Sequence, residues 1–194
     1  MSHHIYQTEA FVIDSRNVGE ANKIIYLFTK DLGLVAGTAQ GVRLLKSKLR
    51  YSLQDFSYTK VSLVRGKEVW RITSAGLIDS IASKVSPDSF VLIRGLMLVK
   101  RLVHGEEKNE DLWNVLKGAY LFWQSREMDS VSPEHFEYIL ILRILNSLGY
   151  VAPEARLLPF LKDASWDSLL FLDVETSQKE LIQHINRALK ESQL

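Results

Sequence analysis

The stretch TEAFVIDSRNVGEANKIIYLFTKDLGLVAGTAQG, Thr8–Gly41, contains three short apolar segments separated by polar or glycine-containing turns. These segments, Thr8–Ser15, Lys23–Thr29 and Leu34–Gly41, are rich in β-branched and aromatic residues, which are typical of strands. Between the second and the third, a KDLG sequence places Gly33 where a tight hairpin turn needs a glycine. The pattern predicts three consecutive strands, the last two joined as a hairpin.

Two more strands are predicted further along, at Phe56–Val64 and Lys67–Ala75, on either side of an Arg65-Gly66 hairpin turn. Because alternate residues of a strand point to opposite faces, one face of each strand is assigned to the interior. Five short strands within about 75 residues predict a small closed or partly closed β-barrel. The interior residues predicted on the last two strands are Val61, Leu63, Trp70 and Ile72.

Beyond residue 80 the apolar residues recur with the period of a helix. Helices are predicted after Ser86-Pro87, after Asn109 and after Ser132-Pro133, and a last one is capped by Thr176 or Ser177. The segment 151–175 is apolar but aperiodic, and short helices and turns are expected there. The predicted fold class is therefore α+β, with a β-barrel domain of residues 1–80 and an all-helical domain of residues 81–194.

The composition is that of an ordinary soluble globular protein, with 46% hydrophobic and 24% charged residues. The chain has no cysteine, which excludes disulfides, thiolate catalysis and cysteine-ligated zinc. No apolar stretch reaches the roughly 20 residues that a membrane-spanning helix needs, and the first residues do not resemble a secretory signal. We therefore expect a cytoplasmic protein without a membrane partner.

Charge is distributed unevenly along this nearly neutral chain of net charge +1. Eight basic residues lie between Arg43 and Arg71, opposed only by Asp55 and Glu68, so this stretch has a local excess of 8 − 2 = +6. Basic residues on a small barrel suit the phosphates of a nucleic acid, and aromatic rings such as Phe56 or Tyr58 stack on bases. The same residues are also consistent with a solvated charged loop and with rings that pack the barrel against the helical half.

Sequence motifs for catalysis are missing. The chain has no GxxxxGK[ST], GxGxxG or GxSxG sequence, and its histidines lack the HExxH spacing of zinc proteases. We therefore expect no enzymatic activity, metal or cofactor. Arg143 lies within the otherwise apolar segment FEYILILRILNSLGY, where it either captures a peptide carboxylate or extends from the core edge toward an acidic partner.

Four tracts, taken in order, resemble the bacterial recombination mediator family RecO. They are G-E-A-x-K-I at 19–24, L-F-T-K-D-L-G at 27–33, G-x-R-x-x-K-S-x-L-R at 41–50 and the helix-like FEYILILRILNSLGYVAPE at 136–154. The resemblance implies an N-terminal OB-fold that binds DNA and a helical domain that binds partners. Many family members carry a four-cysteine zinc module after L-G-Y, which this cysteine-free chain lacks.

The resemblance also implies a function and a set of contact residues. RecO-like proteins bind single- and double-stranded DNA, anneal complementary strands and, with RecR, help load recombinase onto strands covered by single-strand-binding protein, whose C-terminal tail docks on the helical domain. Such a protein works in the cytoplasm, at the nucleoid. The alternative function is a protein-interaction adaptor that binds DNA only weakly. The DNA contacts are Arg43, Lys46, Lys48 and Arg50 by motif, and Lys30, Lys60, Lys67 and Arg71 by the predicted strands; Arg143 is the partner-binding candidate.

Overall fold

The computed structural model describes residues 4–67, 69–161, 166 and 168–192. The chain folds as two compact units. The first comprises residues 1–85 together with 103–109, and the second comprises residues 86–102 together with 110–194. Within the described ranges, no helix is both long and apolar enough to cross a membrane.

Five strands of the first unit close into a barrel. Their order around the barrel is β1-β2-β3-β5-β4, and all neighbours are antiparallel except β3 and β5, which are parallel. All five predicted strands are present, and the predicted α+β class, a barrel followed by helices, is confirmed. The first part of the predicted fifth strand differs, since β5 begins at Trp70 and residue 68 lies outside the described residues. The strands are β1 (Ile5–Val18), β2 (Asn22–Thr29), β3 (Gly33–Ala39), β4 (Ser57–Arg65) and β5 (Trp70–Ser80).

The barrel encloses a core of alternating strand residues. The four interior positions predicted on β4 and β5 are all buried there, with exposed fractions of 4% or less. Gly37 on β3 lets the side chain of Ile72 pack against the β3 backbone, because a β-carbon at position 37 would lie 2.9 Å from that side chain. Val42 and Leu53 belong to the same core, although both lie in the connection between β3 and β4.

The turn between β2 and β3 is fixed by Gly33. Its φ of +68° is in the left-handed region, and a β-carbon at this position would lie 2.1 Å from the backbone oxygen of Glu107. The Thr29 hydroxyl donates to the Gly33 carbonyl oxygen at 2.9 Å and accepts from the Leu32 amide at 3.0 Å. The segment 103–109 therefore packs closely on the barrel, where Glu106 also forms an ion pair with Arg65.

The second unit is helical. Both predicted Ser-Pro starts are confirmed: the Ser89 amide donates to the Ser86 hydroxyl at 3.2 Å, and the Glu134 amide donates to the Ser132 hydroxyl at 3.2 Å. The helices are α1 (Pro87–Leu102), α2 (Glu110–Trp123), α3 (Pro133–Ser147), α4 (Leu158–Leu161) and α5 (Val174–Glu191).

The predicted cap of the last helix is wrong. α5 begins at Val174, and the Thr176 hydroxyl donates to the Asp173 carbonyl oxygen from within the first turn instead of capping the helix. Val174 is fully buried, so packing of this side chain extends the helix beyond the polar start signal. In the preceding segment, Leu157, Phe160 and Phe171 are buried within short helical turns, as expected; residues 162–165 and 167 lie outside the described residues.

Replacing Gly33 by alanine is expected to lower the free energy of unfolding by about 3 kcal/mol, because left-handed strain adds to a clash with backbone. Gly19→Ala is the matched control, since Gly19 has a φ of +59° but no heavy atom within 4 Å of a β-carbon. Gly19→Ala should lower the free energy of unfolding by only about 1 kcal/mol. Urea unfolding of both variants measures the difference; equal losses would show that the Glu107 contact contributes nothing.

Candidate nucleic-acid interface

The predicted basic loop connects β3 to β4 and is built of successive tight turns. Backbone amides of Leu44, Ser47 and Arg50 each donate to the carbonyl oxygen three residues earlier, at 3.0–3.4 Å. Val42 and Leu53 are buried, and Leu49 packs against the same barrel core. The charged side chains are exposed, whereas Val42, Leu49 and Leu53 form an apolar side that packs on the barrel. The exposed basic residues are Arg43, Lys46, Lys48 and Arg50.

Three hydrogen bonds fasten this loop to the turn between β1 and β2. The Arg43 amide donates to the Ala21 carbonyl oxygen at 3.0 Å, and the Arg43 guanidinium donates to the Gly19 carbonyl oxygen at 2.9 Å. The Gly41 amide donates to the Asn22 side-chain oxygen at 2.8 Å. The first basic residue of the loop is therefore held beside the β1–β2 turn.

Arg71 lies on the outer face of the barrel, near the start of this loop. It is exposed and pairs in register with Thr38 of β3, five residues before Arg43. Thr38 in turn pairs in register with Ile24 of β2, and Ile24 with Arg16 of β1, so these residues form one row across the barrel surface. In OB-folds, oligonucleotides bind across strands 2 and 3 and the adjoining β1–β2 and β4–β5 loops. Arg71 and the basic loop thus border the face that such barrels use.

Sequence reasoning missed one basic residue of this face, Arg16, which is exposed at the end of the row. Lys23 lies on the opposite face of β2, in register with the buried Ala39, and its half-buried ammonium donates to the Ser15 hydroxyl at 3.0 Å. Strand alternation alone could not select Arg16, because it does not say which strands are neighbours. Lys67, which was predicted, is exposed in the β4–β5 turn at the edge of the same face.

Lys30 and Lys60 lie apart from these residues. The Lys30 amide donates to the Glu9 carbonyl oxygen at 3.0 Å, and Lys60 pairs in register with Glu9. Lys60 is four residues along β4 from Val64, the register partner of Arg71, which corresponds to about 13 Å of strand. The eight predicted DNA contacts therefore fall into two groups, and the pair around Glu9 is the smaller.

Tyr58 is not available for stacking on bases. It is 1% exposed and stacks on Phe11 with ring centroids 4.8 Å apart, and its hydroxyl donates to the Glu9 carboxylate. An exposed ring on the basic loop itself is Tyr51, with an exposed fraction of 68%. Its sequence context gave no strand or helix period from which exposure could be deduced.

Arg143 in α3 is almost fully buried beside a pocket of about 220 Å³ in the second unit. Its guanidinium donates to the Phe160 carbonyl oxygen at 2.8 Å and lies 4.5 Å from the ring centroid of Trp166. Arg143 forms part of the wall of this pocket. The pocket is lined by Asp111, Asn114, Val115, Arg143, Asn146, Ser147 and Leu161.

The barrel order, the following helices and the basic loop define an α+β protein with an N-terminal barrel compatible with an OB-fold. Residues 1–81 match the family model described as Recombination protein O N terminal. The chain is 43% identical over 77 residues to the DNA repair protein RecO of Dehalococcoides mccartyi, covering 40% of this chain and 30% of that protein. It is 27% identical over 149 residues to the DNA repair protein RecO of Clostridium novyi, covering 75% and 57%.

These matches support a RecO-family protein. The family model covers the barrel part of the chain. The chain matches between 30% and 57% of the length of these relatives.

Asn22→Ala should loosen the loop without changing any charge, because it leaves the Gly41 amide without its acceptor. A lost hydrogen bond of this kind costs about 1 kcal/mol, so hydrogen exchange of that amide should be about fivefold faster. Asn17→Ala, at an exposed position of β1, is the control and should leave the rate unchanged. An unchanged rate in Asn22→Ala would mean that Asn22 does not hold the loop.

Proposed function

We propose that this protein is a non-enzymatic recombination mediator of DNA repair, which binds single- and double-stranded DNA and anneals complementary strands. The observation that carries the proposal is the basic loop: four exposed cationic side chains on a backbone anchored to the barrel. The names of the relatives, DNA repair protein RecO, support a role in DNA repair. We place its action in the cytoplasm, at the nucleoid.

The mechanism is electrostatic. Cationic side chains neutralise phosphates and release counterions, and this lowers the repulsion between two strands that must pair. Because the loop backbone is already held by Val42, Leu53 and the bond from Arg43 to Gly19, little backbone ordering entropy opposes binding. Lys30 and Lys60 lie outside this surface, and we assign them contacts with the second strand. No nucleotide hydrolysis, metal or covalent step is needed.

We further propose two protein partners. RecR acts together with this chain in loading recombinase, and the C-terminal tail of single-strand-binding protein binds the helical unit. The pocket beside Arg143 supports the second partner, since a buried guanidinium at its wall offers an acidic peptide a charge-assisted contact. The same pocket favours the alternative function, an adaptor that binds repair proteins through its helices and DNA only weakly.

Alanine at Arg43, Lys46, Lys48 and Arg50 together should abolish annealing of complementary oligonucleotides at moderate salt. For single strands, each lost phosphate contact reduces the slope of log K against log salt by about 0.7, so the slope should fall by about 3. Lys179→Ala/Lys190→Ala on α5 removes two exposed charges as a control and should anneal normally. Binding by the original chain that does not respond to salt would contradict the electrostatic mechanism.

Asn114→Trp should fill the pocket and so weaken the binding of an acidic, apolar C-terminal peptide. The affinity should fall by about tenfold or more, because one desolvated charge contact is lost. Fluorescence polarisation with a labelled peptide measures this. Asn186→Trp, at an exposed position of α5, is the matched control. If DNA annealing is intact in the loop variant while the pocket variant loses function, the adaptor is the better description.

A further inference from the structure

The basic loop exposes large apolar side chains as well as charges. Leu44 is 57% exposed, Leu45 is 86% exposed and Tyr51 is 68% exposed, all within eight residues of one another. Single exposed apolar residues are ordinary on protein surfaces, but clustered ones mark a binding surface. These three are interspersed with the four basic residues, so the same ligand meets both kinds of side chain.

Their exposure is not the result of a loosely placed loop. Val42 lies immediately before Arg43 and Leu44 and is 4% exposed, and Leu53 lies two residues after Tyr51 and is 1% exposed. The loop amides are bonded turn by turn, and both ends are tied to the barrel. The loop therefore has buried apolar residues that hold it in place and a second apolar set that faces solvent.

Charge complementarity identifies the ligand. The positive charges require an anion, and the apolar side chains between them require that the anion also present flat apolar surface. A duplex stacks its base faces against one another and offers phosphates and groove edges on the outside. A single strand exposes both phosphates and base faces, and aromatic or apolar side chains pack on those faces whatever the sequence.

We infer that Leu44, Leu45 and Tyr51 form a specificity element that selects unpaired over paired strands by packing on exposed base faces. The inference rests on the proposed DNA binding and adds the feature that the charges cannot supply, since Arg43 and its basic neighbours attract the phosphates of both kinds of strand and do not favour the single strand. The charges thus set the strength of attraction, and the apolar residues set the preference.

The test uses the full chain with Leu44→Ser/Leu45→Ser/Tyr51→Ser. Binding of a fluorescent thymidine strand should weaken by roughly tenfold, the effect of losing about one stacked base, with an unchanged salt slope. Binding of a duplex of equal length should stay the same. The matched control, Leu77→Ser/Ile78→Ser/Val85→Ser, removes three exposed apolar residues of the same unit and should alter neither.

A second measurement needs no variant. The original chain should bind the thymidine strand roughly tenfold more tightly than an abasic strand of the same length, which keeps the phosphates but lacks base faces. Equal binding of these two strands, or equal weakening of single strand and duplex by the triple variant, overturns the inference. If the original chain binds none of these ligands at low salt, the proposed function itself fails, an outcome distinct from the other two.

Discussion

The packing of Val42 and Leu53 into the barrel core is the interaction on which the candidate interface depends. Fully burying an aliphatic side chain of this size stabilises a fold by about 1.5–3 kcal/mol. Both residues lie in the connection between β3 and β4 and not in a strand, so their burial in the core stabilises the position of this loop. As a result, the backbone that carries the charges between Val42 and Leu53 is held in place, although no strand or helix contains it.

The concentration of positive charge is unfavourable for folding by itself. The basic side chains between Arg43 and Arg71, with a net excess of +6, repel one another, and the fold would be more stable if these charges were spread over the surface. Part of this charge is compensated on the barrel, where Arg65 pairs with Glu106 and stacks 4.8 Å from the ring centroid of Trp70. The four charges of the loop are left facing solvent, which is the arrangement that an anionic polymer stabilises when it binds.

The second unit shows how a cysteine-free chain fills the region after α3. Where the family resemblance leads one to expect a zinc module, this chain buries Leu157, Phe160 and Phe171. Phe171 stacks on Phe122 at 5.3 Å, and the Phe160 carbonyl oxygen accepts from the guanidinium of Arg143. Apolar packing and one buried charge-assisted hydrogen bond thus hold this segment, and the same arginine borders the open pocket.

The sequence by itself determined the strands, most helix starts, the interior residues of β4 and β5 and the basic loop, because each of these follows from local periodicity, turn residues or charge. The sequence did not show which of these residues lie close together in space. Only the tertiary structure placed Arg71 and Arg16 in one row, separated Lys30 and Lys60 from it, buried Tyr58 and left Tyr51 exposed. The physical reason is that strand pairing and core packing join residues far apart along the chain. For the same reason the buried Val174 shifted the start of α5 away from its polar cap signal.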